Sequence, residues 1–155
     1  RWDIAGAVSK NQIKQYNLYA WSYKANDYVL TSYHDTPIAY SPQAVLSNTL
    51  TFTHRAFEAA LTSQYVGMQY LDNTGSRERS LPAYHVANLR LGYELPVHFV
   101  RSWSINLQVN NFLNARYASN GSAGYTFDKQ GAISSYTSIY PQAGIHAFLG
   151  TTITL

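Results

Sequence analysis

Trp103-Ser104-Ile105-Asn106-Leu107-Gln108-Val109-Asn110 is the stretch that decides the fold. Read with a period of two, it puts Trp103, Ile105, Leu107 and Val109 on one face and Ser104, Asn106, Gln108 and Asn110 on the other. One face is oily and the other rich in amides. At the end of the chain Ala147, Leu149, Ile153 and Leu155 alternate with Phe148, Gly150, Thr152 and Thr154, and the sequence stops without a polar tail. Upstream, Ala87, Leu89, Leu91, Tyr93 and Leu95 oppose Val86, Asn88, Arg90 and Gly92. Strands that turn apolar side chains outward and amides inward suit a membrane barrel with a wet interior. The register this sets directs Leu89, Leu91, Ile105, Leu107, Leu149 and Ile153 to lipid. Asn88, Arg90, Asn106, Gln108 and Asn110 then face the lumen, and a slip of one residue would invert every assignment.

Composition supports that reading and removes others. The chain has 155 residues, one domain's worth, and is 46% hydrophobic, yet its mean hydropathy is only -0.25. Its apolar runs are only a few residues long, which leaves no transmembrane helix and no signal-peptide core. Tyr 14, Trp 3 and Phe 6 are heavy aromatic usage, while charged residues make up 12%, about half the share of a soluble domain. Many tyrosines and few charges fit strands bordered by aromatic girdles. A net charge of +3 is too small and too scattered for a nucleic-acid footprint, and the absence of cysteine excludes a disulfide scaffold.

Along the chain, Trp2, Ile4 and Val8 alternate from the outset, so the sequence opens inside a strand and reads as a fragment or processed product. Asn11 to Tyr40 is polar and tyrosine-rich, with a turn signal at Ala25-Asn26-Asp27, and reads as a long loop with room for a hairpin of its own. A strand from Ala44 to Thr53, with Leu46, Leu50 and Phe52 on one face, ends at a tight turn at His54-Arg55; Phe57 begins the next, which runs to about Tyr70. The polar loop Asp72 to Ser80 follows, and Pro82 marks the start of the Leu89 strand. A short link at Pro96-Val97-His98 leads to the Trp103 strand, and a Gly/Ser/Asn-rich loop from Ala118 to about Ser138 precedes the last. The expected fold is all-β: six antiparallel transmembrane strands, joined by short and long connections in turn, as in outer-membrane barrels. Six strands cannot close a barrel, since the smallest have about 8 and an open edge in lipid leaves backbone groups unpaired. Missing sequence, other chains, or two further strands within Tyr16 to Tyr40 must complete it.

Val109-Asn110-Asn111-Phe112-Leu113-Asn114-Ala115-Arg116-Tyr117-Ala118-Ser119-Asn120-Gly121 resembles the penultimate-strand motif of TonB-dependent outer-membrane receptors. Tyr140-Pro141-Gln142-Ala143-Gly144 is similar to the approach to their last strand. Tyr65-Val66-Gly67-Met68-Gln69-Tyr70-Leu71-Asp72-Asn73, Leu81-Pro82-Ala83-Tyr84 and Tyr40-Ser41-Pro42 match further points in the same order, so the likeness covers Tyr40 to Leu155. Phe112-Leu113 stands where that family more often has Leu-Phe, and Leu155 where it usually ends in an aromatic. The resemblance implies the last six strands of a barrel of roughly 22 strands, plugged by an N-terminal domain absent from this sequence. It also implies residence in the outer membrane of a Gram-negative bacterium and import of a scarce nutrient, a siderophore, haem, cobalamin or glycan. The implied partners are the rest of the barrel, the plug, outer-membrane lipid, the TonB system acting through the plug, and the imported substrate; nucleic acid is not among them.

No catalytic group, cofactor or metal set stands out. His34, His54, His85, His98 and His146 lack metal-ligand spacing, and Gly121-Ser122-Ala123-Gly124 is no nucleophile elbow but reads as flexible loop. Candidate ligand contacts are Tyr19, Trp21 and Tyr23, whose rings can stack on a sugar or an aromatic siderophore, and Tyr125 in the last loop. Arg77 and Arg79 can clamp an anion, weighed against a solvated loop tip. The lumen-facing amides and Arg90 are read as holding the plug. Two other architectures compete: a complete eight-stranded barrel that enlists Tyr16 to Ala25 and Tyr28 to Tyr33 as spanning strands, and a soluble carbohydrate-binding β-sandwich.

Overall fold

The computed structural model describes residues 1–130 and 132–155. In chain order its strands are β1 (Trp2–Val8), β2 (Gln12–Ser22), β3 (Asp27–Pro37), β4 (Ala44–His54), β5 (Phe57–Val66) and β6 (Gln69–Tyr70). After a single 3-10 turn at Arg77–Arg79 come β7 (Ser80–Leu81), β8 (Tyr84–Glu94), β9 (Ser102–Asn110), β10 (Ala118–Phe127), β11 (Ile133–Pro141) and β12 (His146–Thr154). Six of them form one sheet in the order β1-β4-β5-β8-β9-β12, every neighbour antiparallel. These are the six strands expected from the alternation.

Their register aligns like with like. Phe52 lies opposite Ala59, Ala59 opposite Leu91, Leu91 opposite Leu107, and Leu107 opposite Leu149, an apolar row across five strands. One position along, Thr51, Ala60, Arg90 and Gln108 face one another in turn on the opposite side. Leu149 is 76% exposed on the apolar side, so among the described residues that face is not buried against a second sheet as a sandwich requires. Two polar pairs on that side satisfy each other. Asn48 Nδ2 donates to Ser63 Oγ at 2.6 Å, and Trp103 Nε1 donates to Thr151 Oγ1 at 2.7 Å. In lipid, where no water is at hand, an unpaired donor would cost several kcal/mol.

The short links lie at one end of the sheet. His54 faces Phe57 across a two-residue turn in which Arg55 takes the left-handed conformation, φ 53. Leu95 N donates to Trp103 O at 2.8 Å where the β8–β9 link closes. The long excursions all leave the other end.

Two of those excursions are hairpins, the first of them with its turn at the expected Ala25-Asn26-Asp27 and the second where only a loop was expected. Most of Asn11 to Tyr40 is the β2–β3 hairpin, and most of Ala118 to Ser138 is the β10–β11 hairpin. The hairpins meet in a second sheet, ordered β11-β10-β2-β3, through one parallel pair, Phe127 with Ser22. Because β2 and β3 belong there and not to the six-stranded sheet, they are not the extra spanning strands of an eight-stranded barrel. The sequence hid β2 because both of its faces carry apolar groups: Leu18 and Ala20 are buried on one side, while Tyr19 and Trp21 lie on the other. Gly121-Ser122-Ala123-Gly124 is strand, not flexible loop. A Cβ on Gly121 would sit 2.6 Å from Ser138 O, and one on Gly124 would strike the Tyr136 ring, so these glycines let β11 approach closely. The strand expected from Phe57 to Tyr70 breaks after Val66, at Gly67-Met68, before β6.

Candidate functional site

The three excursions pack together and carry most of the expected ligand contacts. In the middle one, Asp72 starts a tight turn: its Oδ1 accepts from Thr74 N at 2.9 Å and from Thr74 Oγ1 at 2.6 Å. Arg79 then folds back over that turn, donating from Nε to Asp72 Oδ2 at 2.5 Å and from Nη2 to Thr74 Oγ1 at 2.6 Å. Its side chain is only 6% exposed, and the guanidinium lies 5.4 Å from the ring centre of Tyr125 on β10. Two expected contacts, Arg79 and Tyr125, are thus brought together, but inward of the surface. Arg77, two residues earlier, is exposed. Burial holds the Tyr125 hydroxyl far above its ordinary pKa; the nearby Tyr16 hydroxyl and the Asp72 charge add to this, and Arg79 opposes it.

The β2–β3 hairpin presents the aromatic face. Tyr19 lies across from Leu30 and Trp21 across from Tyr28, the two rings of the latter pair meeting edge to face at 5.4 Å. Tyr19, Tyr23 and Tyr28 are well exposed. Tyr23 turns to the other hairpin: its N–H donates to Phe127 O at 3.1 Å, and with Thr126, Asp128, Lys129, Gln130 and Ser134 it lines a shallow groove between the hairpin tips. At the base of β2–β3, Lys14 Nζ pairs with Asp35 Oδ1 at 2.8 Å, which lowers the Asp35 pKa and raises that of Lys14.

The five residues expected to face the lumen share the polar side of the six-stranded sheet. Asn88, Arg90 and Gln108 line a groove with Thr49, Thr51 and Thr62. Arg90 Nη2 is held by Glu58 Oε1 at 2.7 Å, Gln108 Nε2 donates to Asn110 Oδ1 at 2.9 Å, and Asn88 Oδ1 accepts from Asn111 N at 2.9 Å. Asn106 lies across from Gly92 on the same side. Sequence reading passed over Glu58, Asp72, Thr74 and Asn111. The Asp72-Asn73-Thr74 string is an Asx-turn signature that could have marked Asp72 as structural. Among the described residues no three His, Cys, Asp or Glu side chains gather into a metal site.

The family model described as TonB dependent receptor-like, beta-barrel matches residues 2–112. The chain belongs to the TonB-dependent receptor β-barrel family. The match ends just inside the Asn110-Asn111-Phe112 string, so β1 to β9 carry it. The crystal structure of the ferric-catecholate import receptor Fiu from E. coli K12, in its closed form, is similar over 97% of this chain, with a TM-score of 0.53 and 17% identity. At that identity the likeness shows the fold, and it extends beyond residue 112 to the β10–β11 hairpin and β12. This chain spans 18% of that receptor's chain. No curated protein matches it. In a TonB-dependent receptor barrel, the oily and amide faces of the six-stranded sheet have a common explanation: they are two sides of one membrane-spanning wall.

Proposed function

We propose that this chain is the C-terminal part of a TonB-dependent receptor, the last six of roughly 22 barrel strands, and that the whole receptor imports a scarce nutrient across the outer membrane of a Gram-negative bacterium. One observation carries the reading: a sheet oily on one face and amide-rich on the other, with its long excursions at one end and its short links at the other. Under this reading the excursions lie on the external side and the turns at Arg55 and Pro96 on the periplasmic side, the asymmetry usual in outer-membrane barrels. The polar wall of Asn88, Arg90, Asn106, Gln108 and Asn110 then faces the plug and holds it by hydrogen bonds. Import proceeds by binding and by motion of the plug, driven by the TonB system, with no bond made or broken in the substrate.

Tyr19, Trp21, Tyr23 and Arg77 are the external contacts this reading offers to a ligand, with Tyr125 and Arg79 behind them. Exposed rings on a paired hairpin suit a ligand with flat aromatic or sugar faces, as in a siderophore or a glycan. The test is made in the intact receptor, expressed in cells limited for the nutrient. Uptake should require TonB, and replacing Tyr19, Trp21 and Tyr23 together by alanine should weaken ligand binding while the amount of assembled receptor stays constant. Uptake that persists without TonB would overturn the reading.

A further inference from the structure

We infer that the three external excursions form one cooperative cap, clasped at Arg79, which presents the ligand-facing surface already assembled. Arg79 bonds Asp72 and Thr74 within its own excursion and lies against Tyr125 of the β10–β11 hairpin, whose Phe127 O accepts from Tyr23 N of the β2–β3 hairpin at 3.1 Å. The middle excursion is thereby joined to the β10–β11 hairpin, and that hairpin to β2–β3. Other bonds cross the same boundaries. Ala39 N donates to Asn73 Oδ1 at 2.7 Å, Tyr40 Oη donates to Gly121 O at 3.0 Å, and Gln69 Nε2 donates to Ser119 O at 3.2 Å. Beneath them Leu71, Leu81 and Ala118 make a small core of their own, with Leu81 fully buried.

Separate loops would open separately, each at its own low free energy. Here, lifting the middle excursion or the β10–β11 hairpin exposes part of the shared core or strips a neighbour from the guanidinium, and a charge left in a half-dismantled site is costly; lifting the first excursion breaks its bonds from Tyr23, Ala39 and Tyr40 to the other two. The segments therefore open together. Only the statement that this cap faces ligand rests on the function proposed above; its cooperativity does not.

Hydrogen–deuterium exchange on the intact receptor in vesicles, without ligand, tests this independently of any transport activity. In Arg79→Ala, amides of β2, of residues 72–80 and of β10 should all exchange about tenfold faster or more, while those of β5 and β8 hold their rates. Acceleration confined to residues 72–80 would overturn the proposal. Should Arg79→Ala fail to assemble, Tyr125→Leu leaves the Arg79–Asp72 pair in place: faster exchange in both β2 and β10 supports the cap, and an unchanged β2 overturns it.

Discussion

Asn111 Nδ2 donates to the carbonyl of Ala143, 32 residues further along the chain, at 3.0 Å. The same amide group also donates to Ala115 O, and its Oδ1 accepts from Ala115 N, each at 2.9 Å. One side chain, 3% exposed, thus shapes the turn after β9 and pins the segment that leads into β12. Its backbone is left-handed, φ 48, a conformation asparagine tolerates better than most residues. This is the physical content of the Val109–Gly121 string and of its partner Tyr140–Gly144.

Asn111→Gly keeps the left-handed backbone and loses the bonds, so it should destabilise the intact receptor by on the order of 2–3 kcal/mol. Asn111→Ala should cost about 1 kcal/mol more, because alanine disfavours positive φ. Urea unfolding in lipid vesicles measures both. Equal values for the two variants would mean that the backbone conformation contributes nothing.

Leu107 and Gln108 are neighbours on opposite faces of β9, Leu107 flanked by Leu91 and Leu149 and Gln108 by Arg90 and Phe148. Leu107→Arg should destabilise the folded receptor by about 2–4 kcal/mol at the membrane midplane, and Gln108→Arg by much less. Denaturant titrations of the two variants decide it; the reverse order would mean that the register is inverted.

Gly121 and Gly150 both sit in strands, but only Gly121 is crowded. Gly121→Ala pushes a methyl onto Ser138 O, and should cost about 1–3 kcal/mol and loosen the β10–β11 pairing. Gly150→Ala meets nothing within 4 Å and should be neutral. Amide exchange along β10 and β11 distinguishes the two.

Tyr125 should resist ionisation. Its pKa in the folded protein lies above the ordinary 10.0, so the stability it contributes is complete below that pH and is lost as pH rises through 10.0 toward the raised value. Alkaline titration by tyrosinate absorbance should therefore give superimposable curves for the wild type and Tyr125→Phe up to about pH 11. A difference near pH 10 would show that the hydroxyl is free in solvent.

The six strands of the large sheet could be read from sequence because each alternates between an apolar and a polar face. At Leu107 and Gln108 the two faces take successive residues, so the pattern of side chains is the register itself. The three excursions have no such signature. Their strands pack on one another, and Tyr19 on one side of β2 is as apolar in kind as Leu18 on the other, so the period of two is erased. Arg77 and Arg79 show the limit most sharply. Both flank Glu78 in the same polar loop, yet one is exposed and the other buried. The 3-10 turn directs Arg79 back to Asp72 and Thr74, and Tyr125, from a hairpin far along the chain, closes over it. Local composition set the charge of that loop, but which arginine became structural depended on groups that meet only when the three excursions assemble.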